Sequence, residues 1–175
     1  MATGMELGVS FEDGKAALAG FTGARRRLQV VGQGRGALVL DDYAHHPTEI
    51  RATLEAARSL VTGKGRLRAA FQPHLFSRTQ MLYKDFASAL TLADDIYLCD
   101  IYPARERPIP GVTTELIADT LKELGAGAKT VLVHKPEELL PRLLKEIQAG
   151  DVFLTLGAGN IDALGKTFAA ELARA

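Results

Sequence analysis

The sequence predicts an α/β protein: a mostly parallel sheet with helices on both faces, preceded by an N-terminal β-hairpin. Three observations lead there. Short apolar runs alternate with longer stretches that carry apolar residues three and four apart. A glycine-rich turn joins the first two β-like runs. The polar residues able to do chemistry fall directly after apolar runs, where ligands gather in sheets of this kind.

In chain order, "FEDGKAALAGFTG" reads as a short helix with no strand before it, which suggests sequence upstream of this piece. "RRLQVVGQGRGALVLD" reads as the hairpin. "ALVLD" (37–41), "RLRAAF" (66–71), "DIYLC" (95–99), "TVLVH" (130–134) and "DVFLTL" (151–156) read as strands. Between them "PTEIRATLEAARSLV", "SRTQMLYKDFASALTLA", "TTELIADTLKELG" and "PEELLPRLLKEIQAG" read as helices, two of them opening on proline, and a last helix runs from Asn160 to Ala173. Strands separated by helices must be parallel, with right-handed crossovers covering both faces.

At 175 residues, with 47% apolar residues, the chain fits one domain with a sizeable core. Lys plus Arg and Asp plus Glu are both 21, so the formal net charge is zero. That excludes broad nucleic-acid binding, which needs clustered positive charge. No stretch approaches the roughly 20 apolar residues that span a bilayer, and the N-terminus is no signal peptide. The single cysteine, Cys99, excludes an internal disulfide and suits a reducing cytoplasm. Its apolar setting reads as buried structure.

"FLTLGAGNIDALGKTF" approaches a phosphate-binding loop, but the first glycine would have to stand at Asn160, and Gly159 comes one residue early. Gly157-Ala158-Gly159 therefore reads as a strand-to-helix turn with Asn160 as the cap, and Lys166 and Thr167 lie within the helix.

The chemistry concentrates in two loops. "DDYAHHPTEI" puts Asp42, Tyr43, His45 and His46 after a strand, with Pro47 opening a helix. The carboxylate can hold a ribose hydroxyl or a cation, and Tyr and His offer flat, polar-edged surfaces; plain helix capping is the alternative. Adjacent histidines point apart and no Cys or Glu at ligand spacing completes a metal set, so no metal site is assigned. "FQPHLFSRTQ" puts His74 and Arg78 after the next strand, a natural clamp for a carboxylate, or else a solvated first helical turn. Arg25, Arg26 and Arg27 precede the hairpin, as a charged edge or as stabilisers of a transferring phosphoryl group. "DIYPARERPIPGVT" reads as a stiff proline-rich loop over the same edge. His134 reads as structural.

Together "FTGARRRLQ", "DDYAHHPTEI", "FQPHLFSRTQ", "DIYPARERPIPGVT" and "LTLGAGNI" resemble the Mur ligases of peptidoglycan synthesis, from about Glu6 to the end. Among them the motifs fit the member that joins L-alanine to UDP-N-acetylmuramate. The resemblance implies that residues 1–24 are the tail of a central ATPase domain with its linker, and that 25–175 form a Rossmann-like C-terminal domain. It further implies that the phosphate loop and the Mg2+ ligands belong to the central domain, so this piece alone would be inactive.

By the same resemblance, ATP phosphorylates the muramoyl carboxylate and the amine of L-alanine attacks the acyl phosphate. Arg26, Arg27 and Asp42 would meet ATP; Tyr43, His45, His74 and Arg78 would receive L-alanine, with His74 and Arg78 on its carboxylate. Leu75 stands where family members often carry a basic residue. No nucleic acid or membrane partner is implied, and the oligomeric state is left open. The alternatives are the ligase that recycles murein tripeptide and a free-standing Rossmann-like binding module. A dinucleotide oxidoreductase fails because "GAG" follows the last strand and lacks its third glycine.

Overall fold

The computed structural model describes residues 1–21 and 23–174; Thr22 of "FTG" and the terminal Ala175 lie outside the described residues. The chain runs α1 (Ala2–Glu6), α2 (Phe11–Ala19), β1 (Gln29–Gly34), β2 (Ala37–Asp42), α3 (Pro47–Arg58), β3 (Leu67–Phe71), α4 (Phe76–Leu90), β4 (Asp95–Cys99), α5 (Glu115–Glu123), β5 (Thr130–Val133), α6 (Leu140–Glu146), β6 (Val152–Leu156) and α7 (Asp162–Arg174). The six strands form one sheet in the order β1-β2-β6-β3-β4-β5. Only the β1–β2 hairpin is antiparallel; every other pairing is parallel, as the alternation required.

The four inner strands, β2, β6, β3 and β4, bury both faces because helices cover both, whereas the edge strands β1 and β5 stay partly open. On one side Leu40, Leu67, Phe71, Ile96 and Leu154 pack with Ile50 and Leu54 of α3, Phe86 and Leu90 of α4, and Ile117 and Leu121 of α5. On the other, Val39, Ala70, Tyr97 and Phe153 meet Leu143 of α6 and Phe168 and Leu172 of α7. A buried Leu, Ile or Phe contributes roughly 1.5–3 kcal/mol by leaving water, and these two layers supply most of the driving force. The hairpin lies close against α7. A Cβ on Gly32 would stand 2.8 Å from that of Ala169, and one on Gly34 would stand 2.5 Å from the Leu172 carbonyl oxygen.

The register decides where the site lies. Asp42 of β2, Leu156 of β6 and Phe71 of β3 are direct partners across three neighbouring strands. The loops that follow them therefore leave the same rim at the same level.

Three readings need correction. "PEELLPRLLKEIQAG" is not one helix: Pro136–Leu139 form a 3-10 turn and α6 follows only from Leu140. Pro141 has no N–H to give back to the preceding turn, so a continuous α-helix cannot cross it. Asn160 does not cap α7. Its Oδ1 accepts from Gln72 Nε2 at 3.0 Å, and the helix opens at Asp162. His134 falls just beyond β5 and is exposed, its Nδ1 3.3 Å from Asp100 Oδ2, instead of being built into the structure. The helix α1 was not anticipated; its five residues bury nothing, so no periodic signal marks it.

At the amino ends of the strands, charge is buried and paired. Arg68, 6% exposed, donates from Nε to Asp151 Oδ2 at 2.8 Å and from Nη1 to Asp95 Oδ2 at 2.9 Å. Its Nη2 reaches the Glu146 carbonyl at 3.1 Å. Asp151 also accepts the N–H groups of Arg66 and Gln148, so this cluster ties β3, β4, α6 and the start of β6 together.

Replacing Arg68 with Ala leaves the Asp151 carboxylate buried without its partner and should destabilise the fold by about 3–5 kcal/mol in urea unfolding; a loss under about 1 kcal/mol would show that the cluster is not a structural tie. Cys99 is fully buried and its thiol is pushed up to about 12 by burial and the nearby acids Asp100, Glu137 and Glu138. A thiol-alkylating reagent at pH 8 should therefore label the unfolded chain and spare the folded one.

Candidate functional site

The loops after β2, β3 and β6 meet at the carboxyl rim. His45 and His74 stand edge-on with ring centroids 6.1 Å apart, so the two polar stretches 42–46 and 74–78 share one face. Tyr43 lies edge-on to His45 at 5.3 Å, and Tyr102, from the loop after β4, stacks on His74 at 5.8 Å and 16°. Four aromatic side chains thus run in a row across three loops. The proline-rich loop does lie over this edge. Tyr102 N–H donates to the Pro73 carbonyl at 2.8 Å, and Leu75 N–H donates to the Tyr102 carbonyl at 3.0 Å.

The arginines of 25–27 divide by environment. Arg26 turns inward: Nε donates to Asp41 Oδ2 at 2.9 Å, Nη2 to the Gly157 carbonyl at 2.6 Å and Nη1 to that of Gly159 at 3.3 Å. Its guanidinium also sits 5.0 Å from the centroid of the Tyr43 ring. Asp41, 1% exposed, takes Thr155 Oγ1 on its other oxygen at 2.6 Å. Arg26 therefore stitches the segment before β1 to the glycine turn after β6. Arg27 points out, its guanidinium 3.9 Å from the Glu49 carboxylate, and Arg25 is exposed as well.

Asp42 is sequestered. Its Oδ1 accepts the Ala44 N–H at 2.7 Å and its Oδ2 the Leu28 N–H at 2.6 Å, with 4% exposure. That is an Asx-type turn, which sets the direction of the loop carrying Tyr43 and His45.

His46 caps α3, accepting from Thr48 N–H, and Glu49 completes a capping box by accepting the His46 N–H. Partial burial of Glu49 would raise its pKa, but hydrogen bonds from the His45 and His46 N–H groups and the His45 charge outweigh it and hold the carboxyl low. His45 Nδ1 lies 2.9 Å from the Tyr43 carbonyl oxygen. Because a carbonyl can only accept, Nδ1 carries the proton in the neutral ring and Nε2 keeps its lone pair.

Around His74 and Arg78 the accounting does not close. His74 Nδ1 and Arg78 Nη1 are buried atoms with no hydrogen-bond partner among the described residues. Burial comes first in lowering the His74 pKa, followed by the Arg78 and His45 charges. Between them Leu75 adopts φ 74°, ψ 135°, a conformation unusual for a branched side chain. Unpaired buried polar atoms and local strain persist only where the surroundings hold them. Gly159 makes room: a Cβ there would stand 2.4 Å from Gln72 Oε1 and 2.7 Å from Tyr102 Cγ.

The sequence-expected residues Arg26, Arg27, Asp42, Tyr43, His45, His74 and Arg78 thus lie on one rim, but Arg26 and Asp42 spend their polar atoms on the protein. Sequence reasoning missed Asp41, Glu49, Gln72, Tyr102 and Glu106. All five lie in stretches singled out in the sequence, Asp41 and Glu49 in "DDYAHHPTEI", Gln72 in "FQPHLFSRTQ" and Tyr102 and Glu106 in the proline-rich loop, but no local pattern marked them within those stretches.

Residues 26–159 match the family model "Mur ligase, glutamate ligase domain". The chain belongs to the Mur ligase family. It is 52% identical over 162 residues to the UDP-N-acetylmuramate–L-alanine ligase of Cutibacterium acnes, covering 93% of this chain and 34% of that protein. Its identity to the enzyme of the same name from Streptomyces coelicolor is 48% over 174 residues, 99% of this chain and 37% of that one. The solved UDP-N-acetylmuramate–alanine ligase of Thermotoga maritima superposes with TM-score 0.78 at 29% identity over 99% of this chain and 36% of its own. A murein peptide ligase from Psychrobacter arcticus shares the fold, with TM-score 0.70 at 24% identity. The chain spans about a third of the length of the curated relatives it matches.

The two arginines should separate in urea unfolding. Arg26→Ala strips Asp41 of its charged donor and should cost about 1.5–3 kcal/mol, whereas Arg27→Ala should change stability by no more than about 0.5 kcal/mol. Equal losses would contradict the division of roles.

Proposed function

We propose that this chain is the amino-acid-receiving part of an ATP-dependent amide ligase that joins L-alanine to UDP-N-acetylmuramate, and that it closes over an ATPase domain. The observation that carries the reading is the pair of buried, unpartnered polar atoms, His74 Nδ1 and Arg78 Nη1, beside the His45–Tyr43 wall. An α-carboxylate satisfies both at once, and a guanidinium binds it through charge-assisted hydrogen bonds. The names and identities of the relatives support the reaction class.

On this reading the muramoyl carboxylate is phosphorylated by ATP. The amine of L-alanine then attacks the acyl carbon, and the tetrahedral intermediate expels phosphate. This chain's own groups supply orientation and fixed positive charge. Arg78 and His74 hold the carboxylate, and the rings of Tyr43 and His45 bound the small side chain. Holding the nucleophile in place converts a bimolecular step into one within the complex. Arg27 extends toward the transferring phosphoryl group, where positive charge stabilises the transition state. Arg26 and Asp42 serve this side indirectly, by fixing the segment that presents Arg27.

Among the described residues no three His, Cys, Asp or Glu side chains come together to hold a metal. Mg2+ and the main cradle of the phosphates are assigned to the ATPase domain because the resemblance to the family implies it. Among the described residues no helix is long and apolar enough to cross a membrane; a UDP-linked substrate with ATP fits a cytoplasmic reaction.

The runner-up is recycling of murein tripeptide, favoured by the shared fold of the murein peptide ligase. Assay of the complete enzyme with L-alanine against tripeptide decides between them; turnover of tripeptide alone would reverse the choice. In the complete enzyme Arg78→Ala should raise the KM for L-alanine roughly 10- to 100-fold, the equivalent of losing about 1.5–3 kcal/mol, with a much smaller change for ATP. An unchanged KM for L-alanine would remove Arg78 from this role.

A further inference from the structure

The start of α4 carries no cap of its own. Leu75 occupies the cap position, offers no side-chain acceptor and sits at φ 74°. The acceptor comes instead from a loop 29 residues away in sequence: Glu106 takes Ser77 N–H at 3.0 Å on one oxygen and Ser77 Oγ–H at 2.5 Å on the other. The same loop holds the residues on the other side of Leu75, since Tyr102 bridges the backbone at Pro73 and Leu75 and stacks on the His74 ring. Thr79 closes the arrangement by donating both its N–H and its Oγ–H to the Leu75 carbonyl. One loop therefore fixes His74 before the strained residue and Arg78 after it.

We propose that Glu106 is a positioning residue for the amino-acid site: through Ser77 it fixes the first turn of α4, so that the unpartnered polar atoms of His74 and Arg78 face a single ligand carboxylate. The inference rests on the reading of this rim as the amino-acid site and adds the group that sets its geometry. A carboxylate at a helix N-terminus satisfies the free N–H groups and complements the helix dipole. Without it the first turn, which contains Arg78, loses its anchor. The charged groups around His74 are Arg78 from α4, His45 from the loop after β2, and Glu106. The first two disfavour the imidazolium and Glu106 favours it, so Glu106 acts on His74 electrically as well as through Ser77.

Imidazole NMR titration of His74 in this chain, with and without L-alanine, tests the proposal. Glu106→Gln removes the charge but keeps an acceptor for one Ser77 donor. His74 should then titrate at lower pH, while L-alanine binding weakens only a few-fold. Glu106→Ala should lower the His74 titration similarly and weaken L-alanine about tenfold or more. Ser77→Ala keeps the charge, so it should weaken L-alanine with little change in the His74 titration; with Glu106→Gln it carries the test if Glu106→Ala does not fold. A His74 titration and an L-alanine affinity both indifferent to Glu106 overturn the proposal. If instead the unaltered chain shows no response of His74 to L-alanine, the amino-acid-site reading fails. The titration shift in Glu106→Gln still decides the electrical role of Glu106.

Discussion

Strand β6 pairs on both edges in the same parallel register, with β2 on one side and β3 on the other. This last strand to leave the chain brings Asp42, Leu156 and Phe71 to one level, and three loops from distant parts of the sequence then share one rim. The rest of the site depends on that register. Sliding any one strand by a single residue would turn its side chains to the opposite face and carry its loop away from the others. Arg26 reinforces the alignment from outside the sheet, joining the segment before β1 to Asp41 of β2 and to the carbonyls of Gly157 and Gly159 after β6.

The two ends of the sheet are built on opposite principles. At the amino ends, buried Arg68 and Asp151 and half-buried Asp95 form a network whose polar atoms find partners within the fold. At the carboxyl ends, His74 and Arg78 keep buried polar atoms unpaired, and Leu75 is held in a strained conformation. A closed network adds rigidity, whereas unpaired polar atoms cost stability until a partner completes them. In the row Tyr43, His45, His74 and Tyr102, each ring limits the rotation of the next.

Much of this was legible in sequence where the signal is local. All six strands, counting the first arm of the hairpin, and most helices follow from apolar runs, periodicity and opening prolines. The boundaries of β4 and the start of α3 at Pro47 agree with the apolar run and the proline that marked them. Pro141 was a visible break that the apolar periodicity around it masked. Asn160 was misread because an Asn at a helix start has two uses, and only the nearness of Gln72 across the rim selects the one found. Arg26 and Arg27 are adjacent and chemically alike; nothing local says that one is locked inward and the other exposed.

The sequence by itself determined most of the elements, their alternation and the candidate polar residues, because hydrophobic period, turn chemistry and side-chain functional groups are properties of short stretches. Tertiary structure decided the strand order, the inward turn of Arg26, the sequestering of Asp42 and the arrival of Tyr102 and Glu106 at His74 and Ser77. Those outcomes depend on which distant backbones lie side by side. That is fixed by packing two apolar layers against one sheet, and no stretch of chain carries it alone.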